Sequence, residues 1–380
     1  MITQLTPYWR TGQAGMRYTL GPFYEHLAQA GNPHIGLNYC HIAGTNGKGS
    51  TIAFMQTLLH SLGCRVGTVT SPHIQCYTER ITLNQTPISE SDFWAIYQDL
   101  PHNKLTEFEC LTLIAFLYFK QKKPDIILLE TGLGGRLDTT NVVTPLVCGI
   151  TRIGWDHMAI LGPTLDAIAR EKGGIIKPKI PVYTVKQDPV CMGVLQTMAH
   201  AQKAPLYTSA CVPLTGFTLQ NPVQTHNAGL AKALVQHLVP HAPEAQLDQG
   251  LKATVHWGRW THLQNPYNNS KIIIDVAHNT DSIAALVTAL AQYNQPLGQY
   301  RFIMGILETK DYVGMLALLP DDAAYTLVSG PGFIGPDTPL HTRKRVTWMA
   351  INTPELFRAD SDSIITGSIY FIGMLCHHWP

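Results

Sequence analysis

The sequence lacks several features that would place it in a specialised class of protein. Its longest apolar runs, such as residues 111–119, fall well short of the ~20 residues that cross a bilayer. The 8 cysteines are scattered and form no CxxC pair, which argues against a zinc site, a redox pair or a disulfide framework. Residues 1–13 contain no apolar core of the kind found in signal peptides. We therefore expect a cytoplasmic protein that does not bind membranes.

Charge is also scarce and balanced. Charged residues make up 14% of the chain and the net charge is +1, with no basic stripe that would indicate nucleic-acid binding. Hydrophobic residues make up 45% of the 380 positions, which predicts packed globular cores and leaves room for two domains. The sequence shows no internal repeat and no low-complexity tract.

What is present is an alternation of short apolar runs with helix-like segments, as is typical of α/β proteins. Runs such as residues 126–129 suit strands that are buried on both faces of a parallel sheet. Apolar residues at helical spacing predict a helix that begins near Lys48 and stops at Gly63. The predicted strands lie within residues 37–44, 64–71, 125–132, 146–153, 180–185, 271–278, 301–307 and 323–330. Both halves of the chain are therefore predicted to be α/β, with a domain comprising residues 1–257 and a smaller one comprising residues 258–380.

A glycine-rich segment, HIAGTNGKGST at residues 41–51, follows the start of the first predicted strand. Glycines let a backbone close around phosphate oxygens, and the amides of the following helix add partial positive charge. Lys48 could reach terminal phosphates, and Ser50 or Thr51 could touch phosphate or Mg²⁺. The segment does not match GxxxxGK[ST], because Ile42 stands where the first glycine would be. A plain tight turn is the alternative interpretation.

Two candidate metal ligands follow other predicted strands. Glu130 ends one strand, and His157 lies shortly after the next strand along the chain. The carboxyl ends of parallel strands line the crevice in which such sheets bind ligands. Beside a triphosphate these side chains would be ligands for Mg²⁺. Each also has a structural alternative: Glu130 could cap a helix, and His157 could be an ordinary hydrogen-bonded histidine.

An ordered set of motifs resembles the folylpolyglutamate synthase/dihydrofolate synthase branch of the Mur ligase superfamily. The matching motifs extend over most of the chain: HIAGTNGKGST, TSPHIQCYTERI, TEFE, ETGLGGRLDTTN, LGPTLDAIAREKGGIIK, DVAHN, GILETKD and TGSIYFIG. The resemblance implies a Mur-ligase-like P-loop ATPase domain with a parallel-rich sheet, followed by a smaller, Rossmann-like C-terminal α/β domain. It also implies that ATP binds between the two domains.

The resemblance assigns roles to individual residues. The residues that would bind the nucleotide are Gly44, Thr45, Asn46, Gly47, Lys48, Gly49, Ser50, Thr51, Asn227, Arg259, Asp275 and His278. Magnesium, expected as two ions, would be held by Ser71, Glu130 and His157. Lys48, His157 and Lys172 would be catalytic, with Lys172 carbamylated so that it becomes an anion. Potassium or another monovalent cation is a further option.

The resemblance implies ATP-driven addition of L-glutamate to dihydropteroate, to tetrahydrofolate as a polyglutamate tail, or to both, through an acyl phosphate. The substrate would contact Arg80, Thr106, Glu107, Phe108, Glu109, Leu137, Asp138 and Thr139. A solvated Arg80 and a core Phe108 are the structural alternatives. Other functions that stay open are a cell-wall Mur-type ligase and an inactive nucleotide-binding regulator. We expect a monomer.

Overall fold

A computed structural model describes residues 19–101, 104–219, 221–292, 296–340, 342, 344–351, 356 and 361–376. The expectation about a signal peptide falls on residues 1–13 and lies outside this part of the chain. The described residues pack as two units. The first contains the residues up to Phe217 together with Gln224–Thr254, and the second contains Thr218–Val223 and the residues from Val255 onward. The predicted boundary between residues 257 and 258 stays a prediction, while the packing divides the chain after Thr254.

The first unit alternates strands and helices, as the apolar pattern predicts. Its strands are β1 (Tyr39–Ala43), β2 (Val66–Val69), β3 (Ile81–Leu83), β4 (Thr86–Pro87), β5 (Ile126–Glu130), β6 (Val147–Ile150), β7 (Val182–Thr184) and β8 (Leu206–Thr208). Its helices are α1 (Gly21–Gln29), α2 (Lys48–Ser61), α3 (Glu90–Gln98), α4 (Glu107–Lys122), α5 (Met158–Leu161), α6 (Leu165–Gly173), α7 (Pro189–Ala201), α8 (Gln224–Leu238) and α9 (Glu244–Ala253).

These eight strands form one sheet in the order β4-β3-β2-β5-β1-β6-β7-β8. The six strands from β2 to β8 in this order pair in parallel, whereas β3 and β4 pair antiparallel at one edge. Strand β1 therefore lies between β5 and β6, which come later in the chain. The segments that follow β2, β5, β1 and β6 consequently emerge side by side at one edge of the sheet.

The apolar residues that predicted the strands form the core of this unit. Every residue of β1 and β5 is buried, as expected for strands covered on both faces. Helix α4, which contains the apolar run at residues 111–119, packs into one core cluster through Phe116 and Phe119. Helix α2 packs against α8 and α9, and Gly63 just beyond its end has a φ of 82°.

The second unit is a smaller α/β unit with its own sheet. Its strands are β9 (Thr261–Gln264), β10 (Lys271–Ile274), β11 (Arg301–Met304), β12 (Ala324–Ser329), β13 (Arg345–Ala350) and β14 (Ser363–Thr366). Its helices are α10 (Thr280–Ala291), α11 (Tyr312–Ala317) and α12 (Ile369–Cys376). The strand order is β13-β12-β11-β14-β10-β9, and only the β9–β10 pair is antiparallel.

The structure thus confirms the predicted fold class of two α/β units with parallel-rich sheets. Each of the eight predicted strand segments contains a strand, although the strands are shorter than the apolar runs that predicted them. Within the residues that the structure describes, no helix is both long enough and apolar enough to cross a membrane.

Candidate functional site

The glycine-rich segment forms the connection from β1 to α2. Gly47 precedes the helix with a φ of 94°, a conformation that side chains other than glycine rarely adopt. A Cβ atom at Gly47 would also overlap Oδ1 of Asn227, which lies on α8. A Cβ atom at Gly44 would overlap the Thr151 side chain. Glycine is therefore required here by both conformation and close packing.

The loop is anchored to the segment after β6. The backbone amides of Thr45 and Asn46 donate to the Arg152 carbonyl at 2.9 and 3.3 Å. Thr45 Oγ1 lies 3.0 Å from Gly154 N and accepts its hydrogen bond. Because these two amides already donate to a carbonyl of the protein, they hold the loop in place rather than bind a phosphate. Arg152 contributes through its carbonyl oxygen, so no side-chain pattern in the sequence could have identified it.

The first turn of α2 supplies the amides that suit an anion. The first helical hydrogen bond runs from Thr51 N to Gly47 O at 2.9 Å. The amides of the helical residues before Thr51 therefore lie outside the helical ladder and point toward the start of the helix, where the dipole is positive. The part of the glycine-rich segment that offers backbone donors is accordingly residues 47–50.

Two lysine ammonium groups converge on one carbonyl oxygen of the loop. Lys48 Nζ donates to Gly44 O at 3.2 Å, and Lys172 Nζ donates to the same oxygen at 2.8 Å. Lys48 Nζ also lies 3.9 Å from Glu130 Oε1. The Lys48 ammonium beside a helix amino terminus creates a positive site that favours a polyanion.

Burial and the neighbouring Lys48 lower the pKa of Lys172 to about 7. The negative charges of Asp156, Asp138 and Glu171 oppose this shift but do not outweigh the burial. At neutral pH Lys172 therefore exists partly as an uncharged amine, the nucleophilic form that reacts with carbon dioxide to give a carbamate. Asp156 was not among the predicted site residues, although it directly precedes the predicted ligand His157.

Two of the three predicted metal ligands are adjacent. Glu130 is buried at the end of β5, and its Oε2 accepts a hydrogen bond of 3.1 Å from the Ser71 amide after β2. His157 follows β6 with a φ of 50°, and 45% of its side chain is exposed. Among the described residues, no cluster of three or more histidine, cysteine, aspartate or glutamate side chains could hold a metal ion. An ion at Ser71 and Glu130 would therefore need oxygens from phosphate or water as further ligands, as Mg²⁺ commonly does.

Two residues of the TEFE segment have a structural role at the start of a helix. Thr106 and Glu109 form a capping box at the start of α4, with the Thr106 amide donating to Glu109 Oε2 at 2.7 Å. Phe108 is half-buried against the core, with its ring where a Cβ atom of Gly132 would lie. The spacing of threonine and glutamate carried this capping signal in the sequence. Substrate contacts by these residues stay a prediction.

Arg80 and Glu107 belong to one polar cluster. Arg80 is buried and donates to Glu107 Oε1 at 3.2 Å and to His73 Nδ1 at 2.9 Å. Its guanidinium carbon also lies 4.5 Å from the centre of the Tyr77 ring. The alternative of a solvated Arg80 is therefore wrong. His73 was not predicted to belong to any site, although it lies in the TSPH motif.

Leu137, Asp138 and Thr139 lie in the connection between β5 and β6. The Asp138 carboxylate is buried and accepts hydrogen bonds from Leu133 N at 2.8 Å and Thr140 Oγ1 at 2.6 Å. Burial raises the pKa of this carboxyl group above its usual range. Thr139 Oγ1 lies 2.8 Å from Thr112 Oγ1 on α4. Asp138 therefore fixes the shape of this connection.

Asn227 lies in the first unit on the first turns of α8. Its Nδ2 donates to Gln224 Oε1 at 2.9 Å, and Gln224 Nε2 lies 3.4 Å from Ser50 Oγ. This pair of side-chain hydrogen bonds links α8 to the glycine-rich segment. Gln224 was not predicted, and nothing in its local sequence distinguishes it from an ordinary helical glutamine.

The second unit contains the predicted residues Arg259, Asp275 and His278, and it brings Arg259 close to Asp275. Asp275 follows β10 and accepts hydrogen bonds from the amides of Trp260 and Ala277, both at 3.1 Å. Burial raises the pKa of Asp275, while the nearby Arg259 opposes the shift. His278 Nδ1 lies 2.9 Å from the Val276 carbonyl, just before α10.

Comparisons with known proteins agree with this architecture. Residues 42–211 match the Mur ligase middle domain family. The chain is 35% identical to a dihydrofolate synthase/folylpolyglutamate synthase of Bacillus subtilis, over 80% of this chain and 79% of that protein. It is 32% identical to a folylpolyglutamate synthase of Lacticaseibacillus casei, over 90% of each chain. Escherichia coli FolC, solved with DHPP and ADP, superimposes with a TM-score of 0.87 at 25% identity, covering 99% of this chain and 97% of that one.

Proposed function

Because the chain belongs to the dihydrofolate synthase/folylpolyglutamate synthase family, we infer that it is an ATP-dependent ligase that joins L-glutamate to a folate substrate. The acceptor is dihydropteroate, tetrahydrofolate or both. The observation that carries the site assignment is the position of Lys48, whose Nζ lies 3.2 Å from Gly44 O at the start of α2. That arrangement suits the triphosphate of ATP.

The reaction proceeds through an acyl phosphate. The carboxylate of the folate substrate attacks the γ-phosphate of ATP, and the amine of L-glutamate then attacks the acyl carbon and displaces phosphate. A carboxylate and a triphosphate repel each other, so catalysis consists mainly of positioning and neutralisation of charge. Lys48 and the amides of residues 47–50 hold the phosphates and stabilise the charge that develops on them.

Mg²⁺ fits the donors beside this loop. Ser71 and Glu130 offer oxygen ligands, which Mg²⁺ prefers, and the Ser71 amide fixes one carboxylate oxygen of Glu130. When bound, the ion would offset negative charge on the triphosphate. His157 is assigned as a further ligand, and a second magnesium ion or a monovalent cation belongs to the same proposal. The lysine at 172 would act as a carbamate, which its lowered pKa favours.

The second unit supplies the remaining nucleotide contacts in this proposal. Arg259 is the cation, and Asp275 and His278 present polar groups at the carboxyl end of β10. Because Asp275 already accepts two backbone amides, its main contribution is to hold the turn that carries Arg259. Substrate contacts are assigned to Arg80, to the TEFE segment and to residues 137–139. We propose that the protein acts in the cytoplasm as a monomer.

A panel of acceptors tests the function. Purified protein with ATP and magnesium is incubated with L-glutamate and either dihydropteroate or tetrahydrofolate, and phosphate release and product mass are measured. Release that depends on both the acceptor and glutamate is expected for at least one acceptor, with a product heavier by one glutamyl residue. Turnover only with cell-wall precursor acids, or with no acceptor at all, would contradict the assignment.

A further inference from the structure

A thiol and an imidazole lie in contact beside the first turns of α8. Cys211 is exposed, and its Sγ atom lies 3.1 Å from Nδ1 of His226. Neither residue belongs to the catalytic or binding groups proposed above. A cysteine within hydrogen-bond distance of a histidine is the arrangement that activates a thiol, because the imidazole can take the thiol proton.

The charges around this pair favour reaction with anions. Burial, followed by the positive charges of Arg152 and Lys186, lowers the pKa of His226, so the neutral imidazole, which has a ring nitrogen that can accept a hydrogen bond from the thiol, is favoured. Arg152 and Lys186 are both exposed, on the segments that follow β6 and β7. Because both act on His226, they attract an anionic reagent to this pair. The amino terminus of α8, a helix of 15 residues, adds partial positive charge.

The backbone at Cys211 is fixed to the turn that contacts the glycine-rich segment. The Val212 amide donates to Thr225 O at 3.0 Å. The Ala210 carbonyl packs so closely on Gly229 that a Cβ atom there would overlap it. Asn227, on the same part of α8, fills the space beside Gly47. A bulky group on Cys211 would therefore be attached to a segment that packs directly on the turn of α8 beside the glycine-rich segment.

We propose that Cys211 and His226 form a modification site for small anionic disulfides, and that the resulting adduct weakens nucleotide binding. The Cys211 sulfur attacks one sulfur of the disulfide, a new S–S bond forms as the old one breaks, and a small thiolate leaves. The Cys211 proton passes to His226 and then to the leaving thiolate. One disulfide is consumed and one is formed, so no other oxidant is needed. The effect on nucleotide binding rests on the proposed function, whereas the thiol chemistry does not.

The chain contains an internal control in Cys76, which is also exposed. Its backbone amide donates to Glu79 Oε1 at 2.7 Å, so a carboxylate lies beside it. Negative charge there repels an anionic disulfide. The two exposed cysteines therefore differ in the sign of their surroundings.

The rate experiment uses the full-length protein with oxidised glutathione, which is anionic, and with cystamine, which is cationic. Adducts are located by peptide mass spectrometry over time at pH 7.5. Oxidised glutathione should modify Cys211 at least about tenfold faster than Cys76, and cystamine should show a smaller ratio. His226→Gln and His226→Asn should each slow the reaction at Cys211 and leave Cys76 unchanged. Equal rates at the two cysteines, or unaltered rates in both histidine variants, would overturn the thiol site.

The binding experiment measures ATP affinity by calorimetry before and after glutathione modification. The modified wild-type protein should bind ATP more weakly, and reducing agent should restore the affinity. Cys211→Ser treated in the same way should keep its affinity. Full affinity in the modified wild type would overturn the coupling to the nucleotide. An unmodified protein that binds no ATP would instead contradict the proposed function, and the rate experiment would still decide the thiol site.

Discussion

The Lys172 ammonium donates a hydrogen bond of 2.8 Å to the carbonyl oxygen of Gly44, 128 positions earlier in the sequence. The same oxygen accepts from Lys48, so two like charges meet in a largely buried place. Such an arrangement is costly unless one ammonium loses its proton or an anion binds. Conversion of Lys172 to a carbamate would remove one of the two positive charges and supply a negative one.

Replacement of Lys172 by alanine is expected to abolish ligase activity, because the carbamate would be lost. Short carboxylates such as formate or acetate should restore part of the activity by occupying the same place. The measurement is phosphate release with and without added carboxylate, with Lys186→Ala as the control at an exposed lysine. Full activity of Lys172→Ala in the absence of carboxylate would refute the carbamate.

Lys172 should also give the folded protein a pH-dependent stability. In buffer free of carbon dioxide the folded state releases this proton near pH 7, whereas the unfolded state holds it up to about 10.5. The unfolded state therefore binds more protons between these values, so the free energy of unfolding rises with pH in that window.

The measurement for this effect is the difference in unfolding free energy between wild type and Lys172→Met. The contributions of the other titrating groups to the unfolding free energy are common to both proteins and cancel in this difference. The difference should shift in favour of the wild type as the pH rises from 7.5 to 9, by at most about 1.4 kcal/mol per pH unit. A difference that does not change with pH would mean that Lys172 keeps an ordinary pKa.

Lys48→Ala should remove most of the turnover while the protein stays folded. Loss of one group that stabilises developing charge typically lowers kcat by about 10²–10³-fold. Circular dichroism and thermal unfolding would report the fold, and phosphate release would report the chemistry. A variant with wild-type kcat would show that the glycine-rich segment does not bind the triphosphate.

Gly47→Ala should destabilise the protein and weaken ATP binding together. The alanine would have to adopt a φ of 94° and would overlap Asn227 Oδ1, so α8 or the loop must move. The matched control is Gly193→Ala in α7, where a Cβ atom would meet nothing within 4 Å. That change should stabilise the protein by about 0.5–1 kcal/mol, since alanine is the better helix former. Equal effects of the two substitutions on stability would contradict the close packing of Asn227 against Gly47.

Thr106 offers a way to separate a structural role from a substrate contact. Thr106→Ala removes the capping hydrogen bond and should cost about 1 kcal/mol of stability, whereas Thr106→Ser should keep most of it. If the residue acts only as a cap, the KM for the folate substrate should be the same in both variants at a temperature where both are folded. A raised KM in Thr106→Ala alone would support the predicted substrate contact.

Much of the first sheet could be predicted because its central strands are continuous apolar runs. Residues 126–129 suited a strand buried on both faces, and the polar groups after such parallel strands were expected to meet at one edge. Strand β4, Thr86–Pro87, could not be predicted, because two exposed residues carry no periodicity. Its pairing with β3 is decided by the turn between them rather than by apolar pattern.

The site was less predictable than the sheet, because several of its groups have no sequence signature. The Arg152 carbonyl that holds the loop and the Gln224 amide that reaches Ser50 depend on tertiary placement. By contrast, the capping box at Thr106 and Glu109 follows a known spacing. Local sequence alone cannot separate that spacing from a substrate motif, since the same residues could serve either.

Two separate segments of the chain form the second unit, which matters when that unit is excised or grafted onto a relative. The Asn221 side chain, in Thr218–Val223, hydrogen-bonds the buried carboxylate of Asp275. A fragment that begins at Val255 would leave that carboxylate with one donor fewer, at a cost of about 1–3 kcal/mol. A chimera that replaced only the residues after Thr254 would combine Asn221 of this chain with the relative's version of the segment that contains Asp275. Transplants of this unit should therefore carry both pieces of chain.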